Sequence, residues 1–429
     1  MGRLRFLTAG ESHGPALGVT IEGIPAGLGL TADGLAVDLA RRQRGYGRGA
    51  RQAIEQDRAE ILGGVRHGLT LGSPILLLVR NRDWENWTQV MQVEPLTEAE
   101  AAELARLADE GNKRATPVTR LRPGHADLAG ALKYGFNDVR DVLERASARE
   151  TAARVAAGGV ARAFLAELGI EVWSFSAEVG GVAVDPARAT RTRTEADESP
   201  LRCPDPEAEA RMIERIDEAR SNGDTVGGVF EVVAHGLPIG LGSYVHWDRR
   251  LDAALAAAVM SINIVKGVEF GLGFEQTRRF GSTVHDVIGG RGEGGRWIHR
   301  SNNAGGLTGG VTNGEPLVVR GAVKPISTLA RPLPSADLIT GAEVDKAHYE
   351  RSDISVVPAA GVVGEAMVML TLADFILDKF GGDSIDETRT NLAAYRARIS
   401  EAPEPPVAGG RGRTRSTGAD GESGSGGDD

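Results

Sequence analysis

Two histidines sit in tight, glycine-flanked turns, His13 in Gly10-Glu11-Ser12-His13-Gly14 and His125 in Arg122-Pro123-Gly124-His125-Ala126-Asp127. Imidazole titrates nearest neutral pH, so a loop histidine on a pocket rim can act as an acid or as a donor to phosphate. Taken alone, each is equally compatible with an ordinary turn residue. We expect His13 to be exposed on such a rim. Its turn also satisfies G-x-S-x-G, the serine hydrolase elbow, but that serine must run straight into a helix. Here Pro15 and a second strand follow, which excludes the hydrolase.

Five arginines, Arg41, Arg42, Arg44, Arg48 and Arg51, fall within eleven residues, and no acidic residue lies between Asp38 and Glu55. A helix C-terminus tolerates such cations as a solvated end. Guanidinium forks also bind carboxylate and phosphate in bidentate fashion, and the interleaved Gly45, Gly47 and Gly49 favour a small-anion site. Arg122 stands beside the second histidine. Ser147 and Glu150 have capping-box spacing, so a helix is expected from Ser147, its positive end flanked by Arg145 and Arg149 and suited to an anion. Lys324-Pro325-Ile326-Ser327-Thr328 ends a strand with a cation and two hydroxyls, and Arg351-Ser352-Asp353 sets a carboxylate beside an arginine. No metal-ligand spacing is present. Gly290 to Gly295 satisfies G-x-G-x-x-G, but no helix follows, which rules out a dinucleotide fingerprint. The inventory points to a small polyanionic substrate handled by acid–base and electrostatic means.

These residues must be positioned by a sizeable fold. The chain has 429 residues, 41% hydrophobic, with net charge −10, 58 glycines and one cysteine, Cys203. That is enough apolar material for one large domain. The net acidity and 5% aromatic content weigh against nucleic-acid binding. No run of 18 apolar residues suggests a membrane span. Residues 1–6 lack a signal-peptide core, and a lone cysteine suits a reducing compartment, so we expect a cytoplasmic protein.

Helices are predicted over Asp33–Gln43, Glu98–Ala108, Ser147–Leu168, Glu207–Asn222, Arg250–Ile264 and Val362–Asp378. Strands are predicted over Leu4–Ala9, Val19–Ile24, Ile75–Val79, Gly228–His235, Val268–Phe270 and Leu317–Val323. Their segregation favours α+β over a doubly wound sheet. Residues 82–116 read as a polar insertion and 401–429 as a disordered glycine-rich tail, leaving 1–400 as the catalytic domain. Residues 289–314 hold ten glycines and form a loop between strand-like 283–288 and 315–320. Glycine there lets backbone approach a ligand closely.

GESHG at 10–14, RRQRGYGR at 41–48, RPGHAD at 122–127, RASARETAARVAAG at 145–158, MSINIVKGVEFG at 260–271, SNNAGGLTGG at 301–310, KPIST at 324–328 and RSD at 351–353 together resemble the chorismate synthase family. The resemblance runs in order over about 1–380, outside the tail and the 82–116 segment. It implies a β-α-β sandwich, a homotetramer, and a trans-1,4 elimination of phosphate from 5-enolpyruvylshikimate 3-phosphate to give chorismate. Reduced FMN is the implied cofactor, with NADPH the candidate reductant. The resemblance assigns Ser12, Arg42, Arg48, Arg51, Arg122 and Arg149 to the substrate, and His13, His125 and Asp353 to proton handling. It assigns Arg42, Arg48, Arg145, Ala146, Ser147, Asn263, Ile264, Gly309, Lys324, Pro325, Ile326, Ser327, Thr328 and Arg351 to the flavin. Two positions depart from the family pattern: Ala146 stands where a serine is common, and Asn303 where many members have histidine. The alternatives are a non-catalytic anion- or flavin-binding protein and an RNA binder using the Arg42–Arg51 patch.

Overall fold

The computed structural model describes residues 3–48, 57–186, 192–350 and 353–401. Two antiparallel sheets enclose a layer of helices. The first sheet contains β1 (Arg5–Ala9), β2 (Ala16–Glu22), β3 (Ala59–Gly63) and β4 (Ile75–Arg80), in the order β1-β2-β4-β3. Strict alternation in β2 and β4 turns Leu17, Val19, Ile21, Ile75, Leu77 and Val79 inward, each at most 1% exposed. The second sheet contains β5 (Glu171–Val179), β6 (Val182–Ala183), β7 (Gly228–His235), β8 (Val265–Phe270) and β9 (Leu317–Val323), in the order β8-β9-β7-β5-β6.

Between the sheets lie α1 (Ala32–Gln43), α5 (Thr151–Glu167) and α10 (Val357–Phe380). Small residues let these helices approach closely. A β-carbon on Gly158 of α5 would stand 2.4 Å from the Ala366 side chain of α10, and one on Gly364 would stand 2.5 Å from the Phe230 ring of β7. One continuous apolar core runs from Leu17 and Leu77 through Val160 and Leu370 to Phe230 and Val319. Helix α10 is long and apolar enough to cross a membrane, but it is buried between the sheets and carries the ion-paired Glu365. This is the α+β sandwich expected from the sequence. The remaining helices are α2 (Glu98–Asp109), α3 (Asp127–Tyr134), α4 (Arg140–Ala146), α6 (Arg193–Glu198), α7 (Pro206–Ser221), α8 (Leu251–Met260), α9 (Gly281–Val284) and α11 (Ile385–Ser400).

Several expectations are corrected. Residues 283–288 are not a strand: α9 covers 281–284, and the next strand, Ile288–Arg291, pairs with Trp297–His299 inside the glycine-rich segment. Helix α8 stops at Met260 rather than Ile264, and α10 starts five residues before Val362. The Ser147–Glu150 capping box does not form. The Ser147 hydroxyl accepts from the Arg149 amide, Ala148–Glu150 make a 3-10 turn, and α5 begins at Thr151. The Glu150 carboxylate is drawn away by the Thr8 hydroxyl and by Arg154. The tail from Ala402 onward lies outside the described residues.

Candidate active site

The turn between β1 and β2 is the centre of the site. Gly10 has φ +101°, and a β-carbon there would sit 2.3 Å from the Ala16 carbonyl oxygen, so only glycine fits. Asn81, just after β4, donates its side-chain amide to the carbonyls of Gly14 (2.6 Å) and Glu11 (3.2 Å). The Ser12 amide donates to the Glu144 carbonyl of α4 (3.1 Å), and Ser12 Oγ lies 3.2 Å from Ser147 Oγ. Glu144 Oε1 lies 2.8 Å from His13 Nδ1, and Oε2 accepts the His13 backbone N–H at 2.7 Å. The imidazole stacks on Trp87, ring centres 4.1 Å apart. His13 is therefore buried, 7% exposed, and not on an open rim. Trp87, which caps it, comes from the supposed insertion at 82–116.

The arginines are not an open cationic cluster either. Arg42 donates to Thr151 Oγ1 (3.0 Å) and to the Ala148 carbonyl (3.0 Å), and pairs with Asp57 at 3.3 Å. Asp57 also holds Arg149, whose Nε and Nη2 donate to Asn81 Oδ1 at 3.1 Å. A chain of contacts thus joins Arg42, Asp57, Arg149 and Asn81 to the His13 turn. Arg145 spends its guanidinium on the Gly10 and Thr8 carbonyls (3.1 Å each) and so braces β1. The charges expected to require an anion at the start of α5 are met by carbonyls and carboxylates of the protein.

Arg48 differs. Gly47, at φ +87°, gives its carbonyl to the Ile354 amide (2.8 Å), which sets Arg48 beside Asp353 at 3.2 Å. The Arg48 Nε is buried with no hydrogen-bond partner. Burial lowers the pKa of this guanidinium, and Asp353 and Asp57 offset that only in part. A buried cation with a spare donor fits an incoming anion.

The second histidine also has a carboxylate behind it. Arg122 grips Asp127 through two parallel bonds (2.8 and 2.9 Å), and His125 Nδ1 lies 2.5 Å from Asp127 Oδ1. Burial raises the Asp127 pKa, but His125 and Arg122 outweigh it and hold the carboxyl well below its usual range. Glu350 stands 3.7 Å from Arg122. Burial pushes Glu350 up, yet His348, Arg122 and His13 bring it down to about 2. The Lys324 ammonium donates to the Gly124 carbonyl, joining the 324–328 segment to the His125 turn. Burial and Lys266 lower the Lys324 pKa. The Lys324 amide donates to the Ile264 carbonyl (3.0 Å), the Asn263 side chain to the Ala146 carbonyl (3.0 Å), and Thr225 Oγ1 to the Ile326 carbonyl (2.8 Å). Pro325 is exposed and Ser327 half-buried, while Thr328 is buried.

The structure thus joins Ser12, His13, Arg42, Arg48, Arg122, His125, Arg145 to Ser147, Arg149, Asn263, Ile264, Lys324 to Thr328 and Asp353 through short contact chains. Gly309 stands apart. It sits in the turn whose next residue, Gly310, accepts the Leu251 amide at the start of α8, about 15 Å along that helix from the Asn263 end. Arg51 and Arg351 lie outside the described residues. Sequence reading missed Asp57, Asn81, Trp87, Glu144, Asp127 and Glu350. Only Asp127 carried a local signal, the His-x-Asp spacing at 125–127. Two imidazoles backed by carboxylates beside arginines can hold an anion and pass it a proton.

A sequence profile described as chorismate synthase matches residues 4–377. Proteins named chorismate synthase from Streptomyces avermitilis and Thermobifida fusca are each 54% identical to the chain, over 400 and 396 residues; the matches cover 92% and 91% of it and 98% of each relative. A Bacillus anthracis protein named chorismate synthase 2 is 55% identical over 400 residues, covering 91% of this chain and 98% of its own. A crystal structure of a chorismate synthase superposes with a TM-score of 0.72 at 43% identity, covering 92% of this chain and 98% of that one.

Proposed function

The chain belongs to the chorismate synthase family, and on that premise we propose how its residues carry out the elimination of phosphate from 5-enolpyruvylshikimate 3-phosphate to give chorismate, the last common step of the shikimate pathway. The enzyme is a carbon–oxygen lyase. The observation that carries the site assignment is the buried Arg48 guanidinium with an unpartnered Nε, one ion pair away from Asp353.

The substrate brings a phosphate and two carboxylates, and Arg42, Arg48, Arg122 and Arg149, with Ser12 and Arg51, are the groups that hold them. The guanidinium groups of Arg42, Arg48, Arg122 and Arg149 already face a carboxylate or a carbonyl, so they are oriented before the ligand arrives. His13 protonates the departing phosphate, which needs a donor because a leaving phosphate carries developing charge. His125, held against Asp127, hydrogen-bonds the cofactor, and Asp353 assists removal of the substrate proton. Glu144, Asp127 and Asn81 keep the two histidine turns in place.

The cofactor is reduced FMN. The residues fit an anionic group of this kind: Lys324, Ser327 and Thr328 offer a cation and two hydroxyls at the end of β9, close to Arg145 to Ser147 and to Asn263 and Ile264. Bound there, reduced FMN would supply a transiently available electron and a basic ring nitrogen, with no net redox change. The cofactor assignment also includes Gly309 and Arg351. NADPH is the candidate reductant. We assign the enzyme to the cytoplasm and to a homotetramer; the outer face of the first sheet, where Leu7 is 76% and Leu62 54% exposed beside Leu76 and Leu78, favours self-association.

An anaerobic phosphate-release assay tests the reading. Phosphate should appear only when substrate and reduced FMN are both present, and release without flavin would overturn it. NADPH as sole reductant decides whether the protein reduces its own flavin. His13→Ala should lower turnover by roughly 10²-fold or more; near wild-type turnover removes His13 from the mechanism.

A further inference from the structure

We propose that Glu144 is a positioning residue for His13, its carboxylate fixing the tautomer and ring orientation in which the proton leaves through Nε2. The inference rests on the reading of His13 as the acid. Glu144 is 1% exposed on α4 and uses both carboxylate oxygens on one residue: Oε1 faces the imidazole Nδ1 at 2.8 Å, and Oε2 takes the His13 backbone N–H at 2.7 Å. An ionised carboxylate only accepts, so Nδ1 must carry a hydrogen in this contact. Nε2, the other ring nitrogen, is then the one that can deliver a proton and become a bare lone pair. A ring flip would break the Nδ1 contact while the backbone contact still held the turn in place, so the carboxylate specifies one orientation.

The neighbouring elements support the same arrangement. The Glu144 carbonyl takes the Ser12 amide, so the end of α4 holds the turn at three points. Trp87 stacks on the imidazole at an interplanar angle of 25° and restrains its plane. Arg140, one turn before Glu144 on α4, lies 3.9 Å from its carboxylate and 5.3 Å over the Trp87 ring. Among the described residues, the charged groups acting on His13 include Glu144 and Glu350, with Arg140 behind Glu144. The general logic is that of a histidine oriented by a buried acid on its far nitrogen.

Glu144→Gln is close to isosteric but offers one acceptor oxygen where two N–H groups need one each. In the full-length enzyme with reduced FMN, kcat should fall about 10²-fold with KM little changed. Imidazole nitrogen NMR on the flavin-free protein, with His13 assigned by His13→Asn, reads the ring without turnover. Wild type should show the Nδ1–H tautomer when neutral, and Glu144→Gln should lose that preference. A wild-type ring in the Nε2–H tautomer overturns the proposal even if the variant fails to fold. So does a folded variant with unchanged kcat and tautomer. If His13→Ala keeps turnover while Glu144→Gln changes the tautomer, the acid role of His13 fails and the hold of Glu144 on the ring stands.

Discussion

Arg41 and Arg42 are consecutive on α1 and serve opposite kinds of charge cluster. Arg41 points into the helix layer, where its guanidinium reaches Asp38 (2.7 Å), Glu365 (2.7 and 2.8 Å) and Asp197 (3.0 Å). Glu365, fully buried on α10, is also held by Arg162, Arg202 and the Ser174 hydroxyl. Three arginines (Arg41, Arg162, Arg202) thus meet three carboxylates. Burial opposes the Arg41 charge but loses to its partners, so the pKa is raised. Arg202 keeps one unpartnered Nε, but its other nitrogens reach two carboxylates. Around Arg42, three guanidinium groups (Arg42, Arg48, Arg149) share two carboxylates (Asp57, Asp353) among the described residues; burial prevails at Arg48, as it also does at Arg202. A charge cluster whose acids and bases balance ties elements together. The second, on the function proposed above, takes an anion from outside.

The sharpest way to break that comparison is Glu365→Gln. Removing the one carboxylate that three arginines share leaves buried charge uncompensated, at a cost of about 3–5 kcal/mol. Urea unfolding should show the loss, while the fraction still folded keeps nearly normal turnover. A catalytic defect with intact stability would put Glu365 in the site. The pH dependence has a definite sign. The folded protein holds Glu365 far below its unfolded value, and Glu350 at about 2, because nearby cations outweigh burial. Their contributions are present above the unfolded pKa of about 4.3 and are lost as the pH falls below it.

Arg48→Ala should do the reverse. The apo protein gives up one ion pair and a poorly satisfied buried cation, so its urea midpoint should hardly move. The bound state loses charge-assisted hydrogen bonds of about 1.5–3 kcal/mol, which lowers kcat/KM for phosphate release by roughly 10- to 100-fold. A loss of stability as large as that of Glu365→Gln would erase the distinction between the two clusters.

Parts of this were legible in the sequence, and the reasons differ by element. β2 alternates strictly because one face of its sheet is buried, whereas β4 is a continuous apolar run in which only the burial alternates. β5 does not: Trp173 and Phe175 pack outward against Ala196 while Ser174 faces Glu365, so both sides are buried and no period of two survives. Arg41 and Arg42 look alike in a list of cations, since consecutive helical residues diverge by about 100° and only the packed structure says which faces what. The motifs placed His13 and His125 in glycine-flanked turns. They could not show that His13 is buried, because Asn81, Trp87 and Glu144, up to 131 residues away, pull it in. The Ser147–Glu150 spacing was a true local signal for a helix start, overridden when Thr8 and Arg154 took the glutamate.

The smallest expected effect tests how the open cluster is closed on its outer side. Trp87 belongs to a segment that reads as an insertion, yet its ring covers His13, and Arg140 and Arg114 lie over it at 5.3 and 5.5 Å. Its indole N–H donates to Asp83 within the same segment (2.8 Å), so the cap carries its own support. Trp87→Leu keeps an apolar side chain but loses the stacking, worth about 0.5–1.5 kcal/mol beyond area. If that energy orients the imidazole, kcat should drop by up to about tenfold, and Trp87→Phe should recover most of it. The Glu365 cluster, built from α1, α5, α6, α10 and β5, should be untouched, leaving the urea midpoint close to wild type. Equal losses for Leu and Phe would mean that the indole N–H anchors the segment and the ring itself does not orient His13.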